Sequence, residues 1–260
     1  MARESAERAV NPFRAAAPTA TPVPAPGPSP DPRPSEPSPA RLPAPDVVLR
    51  EMTGFEEEYI EREAASDNTA RLVNGVLARC LCAAGEDSSA ALVRVRALPI
   101  ADRDQLLIRL RQMSLGITVE TEVDCPACGA ANAASVDLSA LPLDVARPLA
   151  EFTAQLPDGR AVVLRQPSAG DQEAMFDAGL DGAAERLSWL IGRLLLRLGE
   201  ASGPFDAHTA RALPVAARAA IEAALEAEVP DLDLGMSLTC HACGHGFAAP
   251  FDVAAFFLPR

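Results

Sequence analysis

The chain has 260 residues, 48% of them hydrophobic, and a formal net charge of −13 at pH 7. This length allows one large domain or two small ones, with a largely aliphatic core because only 4% of the residues are aromatic. Beyond residue 45, 18 arginines stand against 32 acidic residues, a balance of −14. Because such a body repels phosphate backbones and anionic lipids, we expect no nucleic acid or membrane partner and favour a basic protein surface.

Residues 1–45 predict a disordered, Pro/Ala-rich tail. Residues 12–45 hold 13 of the 24 prolines, mixed with Ala, Ser and Thr. Such a composition cannot bury enough apolar surface to fold and favours polyproline II conformations. We interpret the tail as a tether or spacer, and a PxxP-type docking site is the weaker alternative.

The sequence favours a cytoplasmic location. The opening residues lack the apolar stretch of a secretory signal, and no apolar run is long enough to span a membrane. In a reducing cytoplasm, closely spaced cysteines favour metal or redox chemistry over structural disulfides.

Three segments recur at a constant spacing of 115 residues. The pairs are residues 47–50 and 162–165 (VVLR in both), 96–103 and 211–218 (RALPIADR, RALPVAAR), and 125–129 and 240–244 (CPACG, CHACG). Separate blocks that share one spacing indicate a tandem duplication. We predict an α+β fold in which a strand–helices–zinc-knuckle unit occurs twice about a pseudo-twofold axis. The first half covers residues 46–145 and the second half residues 146–260.

Each half is predicted to open with a strand, at residues 47–50 and 162–165. In the second half, LPDGR at residues 156–160 has the composition of a turn and predicts a hairpin before the strand. A helix follows, because apolar residues recur at helical spacing. These residues are Leu187, Leu190, Ile191, Leu194, Leu195 and Leu198, matched in the first half by Leu72, Val76 and Cys80.

A second helix is predicted after each Leu-Pro pair, since Pro99 and Pro214 stand where the start of a helix tolerates proline. Its apolar face carries Leu106 and Leu110 in the first half, and Ile221 and Leu225 in the second. Each half then ends in a strand, a CxxCG turn and another short strand.

Other recurring or isolated residues favour structural roles. We expect Arg50 and Arg165 to pair with a neighbouring acid, and Asp137 and Asp252 to cap or to bond the turn backbone. Cys80, on an apolar helix face, is interpreted as a small core residue. Cys82 is expected nearer the surface, and two cysteines two apart on a helix diverge, which makes them a poor metal pair.

The two CxxC segments predict one structural Zn²⁺ per chain. Cys125, Cys128, Cys240 and Cys243 supply four thiolates, a common ligand set of structural zinc sites. A glycine follows each second cysteine, and N–H groups of such turns can donate to the sulfurs. The 111 intervening residues exceed the spacing of a zinc finger, but duplicated units can place their turns face to face. Such a cross-link is worth roughly 4–5 kcal/mol in the chain-entropy model.

Three alternatives remain open for these cysteines. A disulfide or redox pair is one, although a thioredoxin-like CxxC begins a helix, whereas these segments lie between predicted strands. A catalytic zinc is another, but four cysteines leave no open position, and His208, His241 and His245 lack the H-x-E pattern of deaminases. The third is no metal at all. His241 and His245 are interpreted as surface residues.

No motif of catalysis accompanies the cysteines. The sequence contains no G-x-S-x-G, P-loop, G-x-G-x-x-G or H-E-x-x-H pattern. We therefore expect no enzymatic activity.

Five segments resemble the baseplate hub assembly proteins of contractile-tailed phages. They are residues 48–58 (VLREMTGFEEE), 98–111, 156–159, 164–171 and 243–256. Together they span nearly all of residues 46–260, and their order along the chain also matches the family. One departure is His241, where proline is expected as in the first turn.

The resemblance implies a non-enzymatic chaperone or minor component of a contractile tail or injection system. It implies baseplate hub or spike proteins as partners. Two other functions stay open: a zinc-ribbon regulator or nucleic-acid adaptor, which the acidic charge and scarce aromatics disfavour, and a thiol oxidoreductase.

Overall fold

A computed structural model describes residues 48–66, 68–81, 87–141, 150–229 and 235–250. The predicted tail, Cys82 and Asp252 lie outside these residues. Within them, no helix is both long and apolar enough to cross a membrane.

The described part of the first half contains four α-helices and a hairpin. They are α1 (Gly54–Glu63), α2 (Thr69–Cys80), α3 (Ser88–Ala97), α4 (Ile100–Leu115), β1 (Thr118–Asp124) and β2 (Ala131–Asp137). A capping box of Thr53 and Glu56 begins α1, and Pro99 is the N-cap of α4, as predicted. The predicted apolar residues of α2 and α4, among them Leu72 and Leu110, are buried in one core.

The second half adds an antiparallel sheet. Its elements are β3 (Glu151–Gln155), β4 (Ala161–Arg165), α5 (Ala169–Asp177), α6 (Ala183–Leu194), β5 (Leu195–Leu198), β6 (Ala201–Ser202), α7 (Ala207–Arg211), α8 (Val215–Glu228), β7 (Gly235–Thr239) and β8 (Gly246–Pro250). Strands β3, β4, β5 and β6 pair in that order, and β1–β2 and β7–β8 form separate hairpins. The mixture of helices and antiparallel sheets confirms the α+β class.

The predicted hairpin at residues 156–160 joins β3 to β4, with Gly159 at a positive φ of 87°. The predicted strand at residues 47–50 is wrong for its described part, because residues 48–50 are irregular. β4 forms because β3 and β5 both supply main-chain partners. In the first half, the Arg50 N–H donates to the Cys80 carbonyl at 3.0 Å. At the corresponding place in the second half, Leu164 of β4 pairs with Leu195 of β5.

The predicted second-half helix is too long. α6 ends at Leu194, and Leu195 and Leu198, which have helical spacing, belong to β5. The pairing of Leu198 with Val162 and of Leu195 with Leu164 satisfies main-chain groups of the buried strand β4. Tertiary pairing here overrides the local periodicity.

The predicted ion pairs of Arg50 and Arg165 are confirmed. Arg50 binds Glu56 through two nitrogens at 2.9 and 3.0 Å, and Arg165 binds Asp171 at 2.5 and 2.9 Å. Burial alone would raise the pKa of each carboxyl. The arginine, joined by hydrogen bonds from the N-cap residue, outweighs burial and lowers the pKa of both Glu56 and Asp171 to about 2.

The two halves meet where α5 packs against α2 and α3. Two main-chain bonds cross there: Ile100 N–H donates to Pro167 O at 3.4 Å, and Ala169 N–H to Leu98 O at 2.9 Å. Gly170 lies so close that an added Cβ would stand 3.0 Å from the carbonyl oxygen of Arg96.

A group of side chains that we call the polar joint surrounds Glu173 of α5 at this contact. Glu173 is 4% exposed and binds Arg96 at 2.5 and 2.9 Å, Asn74 at 3.2 Å and Arg71 at 3.4 Å. The other members are Asp177, bound by Arg71, and Asn68, which donates to Asp177 at 2.7 Å. The polar joint therefore ties carboxylates of the second half to arginines and amides of the first.

Candidate metal centre

Each CxxC segment forms the turn of a hairpin, β1–β2 or β7–β8, as predicted. In the first turn, Cys125 N–H donates to Ala130 O at 2.9 Å and Gly129 N–H to Cys125 O at 2.8 Å. The second turn repeats both bonds, each at 2.9 Å, from Cys240 N–H and from Gly244 N–H. Both glycines have a φ of 73°, a conformation in which a Cβ is strained, which explains glycine after each second cysteine.

The two turns bring four sulfurs together in a group that we call the cysteine cluster. Cys125 Sγ lies 3.8 Å from Cys243 Sγ, and Cys128 Sγ lies 3.6 Å from Cys240 Sγ. All four sulfurs lie within 4.8 Å of one another. Among the described residues, this is the one group of three or more His, Cys, Asp or Glu side chains close enough to hold a metal ion.

These distances fit a tetrahedral site. With metal–sulfur bonds of about 2.3 Å, the edge of an ideal tetrahedron measures about 3.8 Å. A disulfide would require about 2.05 Å, and the four cysteines of the cluster form none. Cys125 and Cys240 are buried whereas Cys128 and Cys243 are exposed, so the cluster lies at the surface with one side covered.

The sulfurs have unequal electrostatic surroundings. The backbone N–H of Cys243 donates to Cys240, and this bond, with a second from Ala242, outweighs burial and lowers the pKa of the Cys240 thiol to about 6. The backbone N–H of Ala130 lowers the pKa of Cys128, but hydrogen bonds with the facing sulfurs outweigh it and raise that pKa to about 12. Thiols this close share protons, and a divalent cation would stabilise them as thiolates.

Asn132 connects the two turns, a contact that the sequence did not predict. Its buried side chain donates to Ala130 O at 2.7 Å. Its Oδ1 accepts from the backbone N–H of His241 and lies 3.0 Å from His241 Nδ1. An asparagine after a predicted turn gives no sequence signal for a partner 109 residues away. His241, at the position where proline is expected, thus supplies a backbone N–H that proline would lack.

The remaining candidate residues lie outside the cluster. His241 and His245 are exposed, as predicted, and His245 stacks on Phe247 with ring centroids 6.3 Å apart. Cys80 is fully buried in the first core, which confirms its predicted packing role. Asp137 caps a short 3₁₀ helix at residues 138–140 through the Ser139 N–H, which confirms a capping role.

Comparisons with known proteins give one match. No curated protein and no solved structure matches the chain. The model of the family described as T4 bacteriophage base plate protein matches residues 40–196. This match includes the whole described first half with the first cysteine turn, and it ends within β5, before the second turn. Because it covers more than half of the sequence, the chain belongs to the T4 bacteriophage base plate protein family.

Proposed function

We propose that this chain is a non-enzymatic assembly factor, a chaperone or a minor component, for the baseplate hub of a phage-like contractile tail or injection system. The family match over residues 40–196 carries the baseplate assignment. The ordered resemblance of residues 48–256 to hub assembly proteins supports the hub as the place of action. The proposed compartment is the cytoplasm, where tails are built.

The proposed mode of action is binding of hub or spike proteins. The hairpin β1–β2 supports an acidic binding surface, because Glu120, Glu122 and Asp124 alternate along β1 and are all exposed. Opposite Glu122 and Asp124, strand β2 presents Ala133 and Ala131, so no bulky side chain covers these carboxylates from the paired strand. Such a surface favours basic patches on a partner and disfavours nucleic acid.

We further propose that Cys125, Cys128, Cys240 and Cys243 hold one structural Zn²⁺. The sulfur–sulfur distances of 3.6 and 3.8 Å support a tetrahedral thiolate site, and a closed set of four ligands supports a structural role. Bound zinc would join two hairpins that are far apart in the sequence. The chain's own contribution is to aim the four sulfurs at one point and to donate turn N–H groups to them.

A tandem duplication is proposed for the origin of the two halves. Equivalent contacts recur at the 115-residue spacing: the arginine clamps Arg50–Glu56 and Arg165–Asp171, and the two proline N-caps, Pro99 and Pro214. The hydrogen bonds of the two cysteine turns recur at the same spacing. Segments of independent origin are not expected to share an arginine–carboxylate pair, a proline N-cap and a cysteine turn at one spacing.

The two other candidate functions predict different chemistry. A nucleic-acid adaptor would bind DNA or RNA at physiological ionic strength, which the charge of −13 opposes. A thiol oxidoreductase would require a titratable, metal-free dithiol. Here each CxxC segment joins two strands, and sulfurs of one turn face sulfurs of the other. We therefore propose no enzymatic activity.

The test of this function is deletion of the gene from cells that make the tail, with plasmid complementation. We expect deletion to abolish assembled baseplates in electron micrographs, and the tagged chain to co-purify with a hub or spike protein. Mass spectrometry of finished tails then separates a chaperone, which is absent from them, from a minor component. Normal tails in the deletion strain would refute the proposal.

A further inference from the structure

The contact between the halves is not reciprocal. Glu173 of the second half binds Arg71 and Arg96 of the first. The equivalent residues, 115 positions away, do not repeat this contact. Glu58 is exposed, while Arg186 donates to the carbonyl groups of Leu180 and Asp181, and Arg211 pairs with Glu185. The halves therefore meet head to tail.

A head-to-tail contact between equivalent units leaves one unused surface on each unit. On the first half, we call this surface the Phe55 face. It consists of the residues equivalent to the α5 side of the contact: Met52, Thr53, Gly54, Phe55, Glu58 and Arg62. On the second half, the Val215 face is equivalent to the α2–α3 side: Arg186, Trp189, Arg211, Leu213, Pro214 and Val215.

Burial distinguishes the covered surface from the unused one. Glu173 and Ala169 are buried in the contact, whereas their counterparts Glu58 and Gly54 are exposed. Phe55 is 76% exposed and Val215 is 83% exposed, the two highest values among the exposed large hydrophobic residues. One stands on each unused face. Each unused face therefore carries one strongly exposed apolar side chain that a contact would bury.

The two faces retain one charge contact and the main-chain groups of the internal contact, whereas Arg62 replaces Asp177, the second carboxylate that binds Arg71. Glu58 retains the carboxylate of Glu173, and Arg186 and Arg211 retain the two arginines that bind it. The residues at the two crossing main-chain bonds are also suitable: neither Gly54 nor Val215 is proline, so both have an N–H to donate.

Two positions differ in size, since Trp189 stands where the internal contact has Asn74, and Phe55 stands where it has Gly170. Gly170 of the internal contact, whose Cβ position lies 3.0 Å from the Arg96 carbonyl, is replaced by Phe55 on the unused face. A contact between faces must therefore be wider at this point than the internal contact. The phenyl ring then extends over the facing surface and gains apolar burial that glycine lacks.

We propose that the Phe55 face of one molecule binds the Val215 face of a second copy of this chain, head to tail. The inference rests on the equivalence of the two halves proposed above. Glu58 meets Arg186 and Arg211 of the second copy, and Phe55 and Val215 lie within the contact. Since each copy keeps one free face, the contact extends to a ring if its rotation closes and to a filament if it does not.

The test is sedimentation of the full-length, zinc-loaded protein over a concentration series, for which we expect an average mass that rises with concentration. Glu58→Arg and Arg211→Glu should each weaken association at least about tenfold. An equimolar mixture of the two variants should associate again, because the first keeps its Val215 face and the second its Phe55 face. General damage to the fold would not produce this recovery.

Matched controls separate the faces from the rest of the surface. Arg197→Glu makes the same charge change at an exposed position outside both faces, and should leave association unchanged. Phe55→Ala should weaken association, whereas Val93→Ala, at a residue 67% exposed on α3, should not. A wild-type protein that stays monomeric at every concentration, or a variant mixture that stays monomeric, would overturn the inference. Zinc content and tail assembly, measured on the same proteins, test the proposed function separately.

Discussion

The halves meet at two places, the cysteine cluster and the polar joint, which differ in symmetry and in chemistry. In the cysteine cluster, the first cysteine of each turn faces the second cysteine of the other, at 3.8 and 3.6 Å. The polar joint is one-sided, because its carboxylates come from the second half alone. The hairpins thus meet reciprocally while the helical bodies meet head to tail.

This difference limits the proposed pseudo-twofold relation to the turns, because the contact of the helical bodies is one-sided. Met236 of β7 packs against the core of the first half, so the second hairpin contacts the opposite body. The second hairpin therefore reaches across the body contact, and the cysteine cluster brings together turns from opposite halves. The two joints should respond to different perturbations.

The largest effect is expected from breaking the cysteine cluster. Cys125→Ser and Cys243→Ser should each lower the free energy of unfolding by about 4–5 kcal/mol, the worth of a cross-link over a loop of about 100 residues. Chelation of the wild-type protein should have a similar effect. Urea unfolding measures all three.

The control is the same chelator added to the two serine variants. It should no longer change the stability of either serine variant, since the site is already lost. Clearly unequal losses in the two variants would contradict a cluster in which both cysteines bind one ion.

A smaller loss is expected from Glu173→Gln in the polar joint. The variant keeps the shape of the side chain but removes the charge that binds Arg71 and Arg96, at a cost of about 2 kcal/mol. Glu58→Gln is the matched control at the exposed equivalent position, where we expect almost no change. Equal losses in the two variants, measured by urea unfolding at low protein concentration, would contradict the one-sided joint.

Acid should remove the contribution of Glu173. Burial raises the pKa of this carboxyl, but hydrogen bonds from Arg96, Asn74 and Arg71 outweigh it and lower the pKa below its ordinary value. The unfolded chain, with a glutamate pKa of about 4.3, then binds the proton first, so stability falls as the pH falls. The difference between wild type and Glu173→Gln should be complete above about pH 5 and shrink below about pH 4.

Metal release in acid would obscure this comparison, because protonated thiols do not bind zinc. Both proteins are therefore compared in a Cys125→Ser background. A difference that stays constant down to pH 2 would show that Glu173 does not carry the charge interaction.

The smallest effect is expected at the bond between the turns. Asn132→Ala removes the acceptor of the His241 N–H and should cost about 1 kcal/mol. It should also speed zinc loss to a chelator, because the turns lose a contact independent of the metal. Ser135→Ala, which removes an exposed hydroxyl that donates to Glu120 on β1, is the control. Equal zinc release rates in the two variants would show that Asn132 does not align the turns.

Local patterns predicted most of the elements and the positions of the two cysteine turns. The proline caps, the hairpin at residues 156–160 and the two CxxCG turns depend on residues close in sequence, so their chemistry can be recognised there. The repeat at 115 residues directed attention to all four cysteines together. In each case the signal and the structure occupy the same few residues.

The errors and omissions are tertiary. Leu195 and Leu198 continue a helical spacing but pair with β4, because a buried strand needs main-chain partners. Glu173 has no sequence feature to distinguish it from Glu58, although one is buried and the other exposed. Likewise, the one-sided contact of the halves depends on how they pack, which a repeat in sequence does not specify.

The most direct test of a shared metal site is native mass spectrometry of the full chain with zinc quantification, on wild type, Cys125→Ser and Cys243→Ser. We predict one Zn²⁺ bound per wild-type chain and loss of the ion in both variants, although the two cysteines lie in different halves. A wild-type chain without metal whose cysteines oxidise as dithiols, or one serine variant that keeps its full zinc, would contradict the account.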